Sequence, residues 1–245
     1  MSDTPPLEDD TRAPSLSLLA REARVPFEVL RFLIGTRRLR GLPEGDGHPV
    51  LLIPGFGADE FLMRPLRRAL VKLGYAAEDW GQGRNLGMRP AIRQELARKL
   101  DSMAKRSDRK VTLIGWSLGG VFARELARAK PEQVRRVITL GSPINRRPDA
   151  NNMMPLFRLV NGGRAPKQDR EGFNRRKIAP PVPCAAIYSR TDGIVAWQAC
   201  MEEVAANTQN IEVAGSHFGL VVNLEVLAAI ARLMEADSKK LSDRR

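Results

Sequence analysis

The chain has 245 residues, 43% apolar and 28% charged, which suits one sizeable core and excludes collagen-like, coiled-coil and repeat architectures. A net charge of +12 raises nucleic-acid binding, but aromatics make up only 5% and no recognisable binding module is present, so nucleic acid is not expected as a partner. The two cysteines, Cys184 and Cys200, make neither a disulfide framework nor a CxxC or Cys/His cluster, so no metal or cofactor is expected.

Residues 1–14 are polar, acidic and proline-containing, and are expected to be disordered. They have neither the basic start nor the apolar core of a secretory signal. With no run near the roughly 18 apolar residues of a membrane span, the protein is expected to be cytoplasmic. Residues 15–48 read as a basic extension of one or two amphipathic helices broken near Pro26. Seven arginines between Arg12 and Arg40 face only Glu22 and Glu28, leaving +5. This extension suits either peripheral contact with an anionic membrane surface or packing across an edge of the core. The number of apolar residues favours packing.

From Pro49 the chain alternates strands and helices. PVLLI is an apolar strand entering a glycine loop, Phe61–Leu73 a helix, GYAAEDW a strand and Pro90–Arg106 a helix. VTLIGW, Ser117–Ala129 and VRRVITL follow as strand, helix and strand. A basic insert at 145–181 interrupts the rhythm, which resumes with the strand CAAIYS, a helix near Ala196–Ala206, the strand NIEVA and a helix over Leu224–Glu235. Residues 237–245 read as a polar tail. The alternation predicts an α/β fold over 49–236, a mostly parallel sheet of about six strands with helices on both faces. Sites on such sheets form at the carboxyl ends of strands.

One serine stands at such an end. GWSLGG places Ser117 between an apolar strand and a helix, where glycines at 115 and 119 let the two approach and the serine takes a strained conformation. A serine nucleophile needs a base, and only two histidines exist. His48 precedes the first sheet strand, at the wrong end. His217 follows the last strand, at the proper end. Asp192, a few residues past CAAIYS, completes the order Ser, Asp, His, with Asp79 and Asp149 as competitors. Two N–H donors would serve an oxyanion: Leu118, at the helix start, and Phe56 in the PGFG loop, with Gly57 as the alternative.

With PGFG, GWSLGG, VITLGSPI, IYSRTDGIV and GSHFGLV in place, the sequence resembles the α/β-hydrolase family from about Pro49 to Met234. Within it, the chain is similar to small bacterial lipases and esterases. The resemblance implies the α/β-hydrolase fold, Ser117 as nucleophile, Asp192 and His217 as its partners, and Phe56 and Leu118 as oxyanion donors. One departure is Pro54, where many relatives carry a histidine that helps orient the oxyanion loop.

The insert lies where such hydrolases place a short basic cap or lid. Met153, Met154 and Phe157 would line an acyl chain, and its nine basic residues would meet anionic head groups. The expected activity is a serine hydrolase cleaving carboxylic esters, with small-molecule or lipid-like substrates and an acyl-enzyme intermediate. Acyl transfer or thioester hydrolysis by the same intermediate is the nearest alternative; a non-catalytic membrane- or partner-binding protein on the same fold is the more distant one.

Overall fold

The computed structural model describes residues 12–36, 41–145, 151–152 and 177–242. The candidate lining residues Met153, Met154 and Phe157, and the competitor Asp149, lie outside them. The extension holds α1 (Leu16–Ala20), a 3-10 turn (Arg21–Arg24) and α2 (Val25–Gly35). There follow β1 (Pro49–Ile53), α3 (Glu60–Lys72), β2 (Ala76–Asp79), α4 (Pro90–Ser107), β3 (Val111–Trp116), α5 (Leu118–Ala129) and β4 (Val134–Leu140). Beyond the insert come β5 (Cys184–Tyr188), α6 (Trp197–Cys200), β6 (Thr208–Glu212), a 3-10 turn (Phe218–Val222) and α7 (Leu224–Ser242).

The six strands form one wholly parallel sheet in the order β2-β1-β3-β4-β5-β6. This is the parallel α/β sheet that the alternation of strands and helices predicts. Alternate strand residues serve opposite faces, as a period of two requires. Val50, Leu52, Ile114 and Ile138 pack with α3 and α7, while Leu51, Ile53, Leu113 and Val137 pack with α4 and α5. Every residue of β1, β3, β4 and β5 is buried, which is why β1, β5 and most of β3 read as apolar runs, whereas the buried Arg135 and Arg136 of β4 are met by partners on α7. The chain leaves β1 toward β2 and returns on the other side as β3. The order therefore reverses between β1 and β3, where open sheets leave a crevice at the strands' carboxyl ends.

Three boundaries differ from the sequence reading. The final helix runs to Ser242 rather than stopping at Glu235, replacing much of the expected tail. The Arg136 guanidinium on β4 forks onto Asp237 at 2.6 and 2.7 Å, and Arg135 Nη2 donates to Ser238 Oγ at 2.9 Å, so the extra turns are tied to the sheet. Helix α6 ends at Cys200 instead of Ala206, because Asn210 on β6 bonds both the N–H and the C=O of Glu202 and draws that segment out as an extended partner. The break in the extension falls at Arg21–Arg24, with Pro26 inside the first turn of α2, a position that needs no amide proton.

Both cysteines are buried, and burial pushes the Cys184 thiol up to about 12 and Cys200 well above its ordinary value. His48 is structural: Nδ1 lies 2.6 Å from Asp46 Oδ1 and Nε2 3.1 Å from Thr112 Oγ1. Burial and the neighbouring Arg135 guanidinium lower its pKa to about 4. With an unfolded value near ~6.5, this neutral imidazole contributes fully above that pH and loses its contribution as pH falls toward 4. The difference amounts to roughly 3 kcal/mol. Urea unfolding of wild type and His48→Gln at pH 7 and pH 4.5 checks this. The variant should lose about 2 kcal/mol less over that interval; equal losses would show that His48 is not the group responsible.

Candidate active site

Ser117 sits between β3 and α5 with φ 53° and ψ −123°, one of two non-glycine residues at positive φ among those described. Such a conformation costs on the order of 1–3 kcal/mol and persists only where its surroundings fix it. Ser117 N–H donates to the Leu140 carbonyl at 2.8 Å, and the Ser117 carbonyl accepts from Gly120 N–H at 3.0 Å. A Cβ on Gly115 would strike the backbone of Gly119, and one on Gly119 would overlap the carbonyl oxygens of Ile53 and Pro54. The corner is therefore packed backbone against backbone. Leu118 opens α5, so its N–H lies outside the helix's own hydrogen bonds.

The loop after β1 lies against this corner, with the Cβ position of Gly55 3.0 Å from Ser117 Cβ. Asn85, fully buried, holds that loop. Its Nδ2 donates to the Pro54 carbonyl at 2.7 Å, its carbonyl accepts Gly57 N–H at 2.7 Å, and its own N–H reaches the Ala58 carbonyl at 2.8 Å. The N–H of Gly57, the alternative oxyanion donor, is thus engaged by the Asn85 carbonyl. Phe56 stays at the bend between Gly55 and Gly57.

His217 and Asp192 meet. Nδ1 of His217 lies 2.6 Å from Asp192 Oδ2, and each residue is 2% exposed. The other oxygen, Oδ1, accepts from Ile194 and Val195 N–H at 2.8 Å each. The loops after β5 and β6 are joined a second time by Ser189 and Thr191, whose hydroxyls donate to the Gly215 carbonyl at 2.7 and 3.0 Å. Trp116, the residue before Ser117, donates its indole N–H to the His217 carbonyl at 3.1 Å, with the two rings 5.6 Å apart. The histidine loop is therefore fastened to the strand end that carries the serine. The competitor Asp79 is elsewhere, on the edge strand β2, ion-paired to Arg67 at 3.0 Å with its pKa raised by burial.

An apolar cavity of about 690 Å³ is lined among others by Val29 and Leu33 of α2, Phe61 and Leu62 of α3, and Trp116 and Phe218, the chain neighbours of Ser117 and His217. Arg64, Arg68 and Lys72 stand along its α3 side. Among the described residues no group of three or more His, Cys, Asp or Glu is arranged to hold a metal.

Several contributors were not visible in sequence. Asn85 follows no strand-end pattern, and Glu22 and Glu28, which reach the loops of Asp192 and His217, read only as offsets to arginine charge. Contacts between residues far apart in the chain, about 30 positions for Asn85 and more than 150 for Glu22 and Glu28, leave no periodicity to detect.

A family model described as the alpha/beta hydrolase family matches residues 50–234. Identity is 35% over 138 residues with polyketide synthase ThaQ of Burkholderia thailandensis, covering 52% of this chain and 6% of that one. It is 29% over 98 residues with the pimeloyl-(acyl-carrier protein) methyl ester esterase of Shewanella woodyi, covering 40% and 37%. The chain thus spans a minor part of the length of these curated relatives. The solved Bacillus licheniformis lipase BlEst2 shares the fold, with a TM-score of 0.58 at 16% identity, covering 79% of this chain and 94% of that one.

The packed corner makes Gly119→Ala a sharp test. Because the new methyl meets backbone that cannot give way, stability should fall by about 3 kcal/mol, or roughly 6–12 °C in Tm. A thermal midpoint within 2 °C of wild type would mean the corner has slack.

Proposed function

Because the chain belongs to the alpha/beta hydrolase family, we propose that it cleaves carboxylic esters with lipid-like acyl chains, using Ser117 as nucleophile, His217 as general base and Asp192 as its orienting carboxylate. The observation that carries this reading is the buried 2.6 Å contact between Asp192 and His217. A carboxylate on Nδ1 fixes the tautomer in which Nε2 bears the lone pair, as a base for a serine hydroxyl requires.

Ser117 Oγ attacks the ester carbonyl while its proton passes to His217 Nε2. The developing oxyanion takes backbone N–H bonds from Leu118 and Phe56. Collapse of the tetrahedral intermediate expels the alcohol, protonated by His217, and leaves the acyl group on Ser117. Water, deprotonated by the same imidazole, releases the acid. Asp192 stays ionised and stabilises the imidazolium in both steps. No step needs a cofactor or metal.

A lipid-like acyl group is supported by the cavity beside Trp116 and Phe218, whose volume of about 690 Å³ lies in the common range of small-molecule sites. Burial there stabilises each methylene by about 0.8 kcal/mol. The basic α3 side suits an anionic group on the same molecule. Met153, Met154 and Phe157 remain proposed additions to that wall, and the insert a proposed cap. The similarity to an esterase whose substrate is borne on a carrier protein favours testing carrier-bound acyl groups beside free esters.

Peripheral contact with an anionic lipid surface is also proposed. Phe27, Leu30 and Ile34 are exposed at helical spacing on the outer side of α2, next to Arg31. None of the described helices is long and apolar enough to cross a membrane.

Incubation with a fluorophosphonate followed by intact mass and peptide mapping tests the nucleophile. A single adduct on Ser117, absent in Ser117→Ala, is expected, with ester hydrolysis lowered on the order of 10⁴-fold or more in that variant. No adduct on folded wild type would overturn the reading. For the surface contact, a Leu30→Glu/Ile34→Glu protein should sediment less with phosphatidylserine vesicles than wild type at equal ester hydrolysis. Equal sedimentation would remove α2 as the contact.

A further inference from the structure

We propose that Glu22 is a positioning residue of the active site, a carboxylate from the N-terminal extension that locks the loop of Asp192 to the loop of His217. The proposal rests on the assignment of Asp192 and His217 made above. Glu22 Oε1 accepts the N–H of Gly193, next to Asp192, at 2.9 Å, and the N–H of His217 itself at 2.8 Å. Oε2 accepts the N–H of Phe218 at 3.2 Å. One side chain thus satisfies three backbone donors from two loops, 171 to 196 positions away in the chain.

The neighbouring contacts repeat the pattern. Glu28 accepts the N–H of Ser216 at 3.0 Å and also bonds the Ser216 hydroxyl, which in turn accepts Gly219 N–H at 3.0 Å. Arg24 pairs with Glu28 at 3.0 Å and donates to Thr191 Oγ1 at 2.9 Å. Asn152 bridges the Pro14 and Gly193 carbonyls at 3.1 and 2.8 Å.

The fit is steric as well as polar. A Cβ on Gly193 would stand 2.7 Å from the carbonyl carbon of Leu18 and 2.8 Å from Leu19 Cα, and one on Gly219 would stand 2.6 Å from Glu28 Cδ. Backbone and carboxylate of the extension occupy the room that side chains on those loops would need. Residues 14–28 therefore form part of the wall that holds the site, rather than an appendage to it.

Two properties make Glu22 more than a general fastening. Its acceptors converge on the residue after Asp192 and on His217, so its loss loosens both members of the pair with respect to each other. A displacement of about 1 Å at reacting groups is enough to lower a rate ~10²-fold. Glutamine keeps one carbonyl oxygen at the Oε1 position, where the Gly193 and His217 bonds are made, while aspartate is a methylene too short to span both loops.

The test is steady-state hydrolysis of a p-nitrophenyl acyl ester by the full chain, with rates normalised to sites titrated by a fluorophosphonate. Glu22→Ala should lower kcat about 10- to 100-fold with KM changed less than threefold, and Glu22→Asp should lower it severalfold. Glu22→Gln should return to within about threefold of wild type, a rescue that a role in stability alone would not order this way. Wild-type kcat per titrated site in Glu22→Ala overturns the proposal. Should the alanine protein not fold, equal kcat for the aspartate and glutamine variants overturns it as well. Failure of the catalytic assignment itself is distinct: it would appear as an unlabelled Ser117 in wild type.

Discussion

The buried contact between Asp192 and His217 is the interaction on which the candidate site depends. A carboxylate taken out of water is costly unless its lone pairs are met, and here Oδ1 takes two backbone N–H groups while Oδ2 faces the imidazole. Those bonds dictate the course of the loop after β5, and the imidazole dictates where the loop after β6 must stand. The end of β4 supplies the floor. A Cβ on Gly141 would lie 3.1 Å from both Asp192 Oδ2 and His217 Nδ1 and 2.7 Å from Leu220 Cδ1, so a side chain there would crowd the pair and glycine leaves it its place.

The serine's position follows from the sheet rather than from a partner. Reversal of strand order between β1 and β3 places the ends of those strands side by side, and the absent side chains at 115 and 119 let α5 start within contact of β1. Positive φ at Ser117 is tolerable because β4 holds its N–H at the Leu140 carbonyl and the first turn of α5 holds its carbonyl through Gly120 N–H. Asn85 then does for the loop after β1 what Asp192 does for its own. Its side chain and backbone together tie off the Pro54 carbonyl, Gly57 N–H and Ala58 carbonyl, so a loop containing Gly55 and Gly57 is held by a residue outside it.

The parts of this structure legible in sequence are those whose cause is local. Apolar runs at β1, β5 and most of β3 declare strands buried on both faces, and Ser117, Asp192 and His217 stand out as candidates because each follows such a strand or the last strand of the series. Scarcity of histidine sharpened that reading, since His48 stands at the opposite end of the sheet. Helix ends were less legible where a tertiary bond decided them. Asp237 prolongs α7 by reaching Arg136, and Asn210 stops α6 by pairing with Glu202. Asn85, Glu22 and Glu28 were invisible for the same reason: nothing beside them in the chain reveals which backbone amides they satisfy.

The extension shows how a count of charges can mislead about where charge lies. Glu22 and Glu28 reduce the formal charge of Arg12–Arg40 to +5, yet both carboxylates turn inward to backbone amides of the loops after β5 and β6. Arg21 and Arg31 remain exposed, beside the exposed side chains of Phe27, Leu30 and Ile34. The outer surface is therefore more cationic and more apolar than the segment's composition implies, and the inner surface more anionic. In the proposed mechanism the same short helices thus face a lipid-like surface on one side and hold the base and its carboxylate on the other.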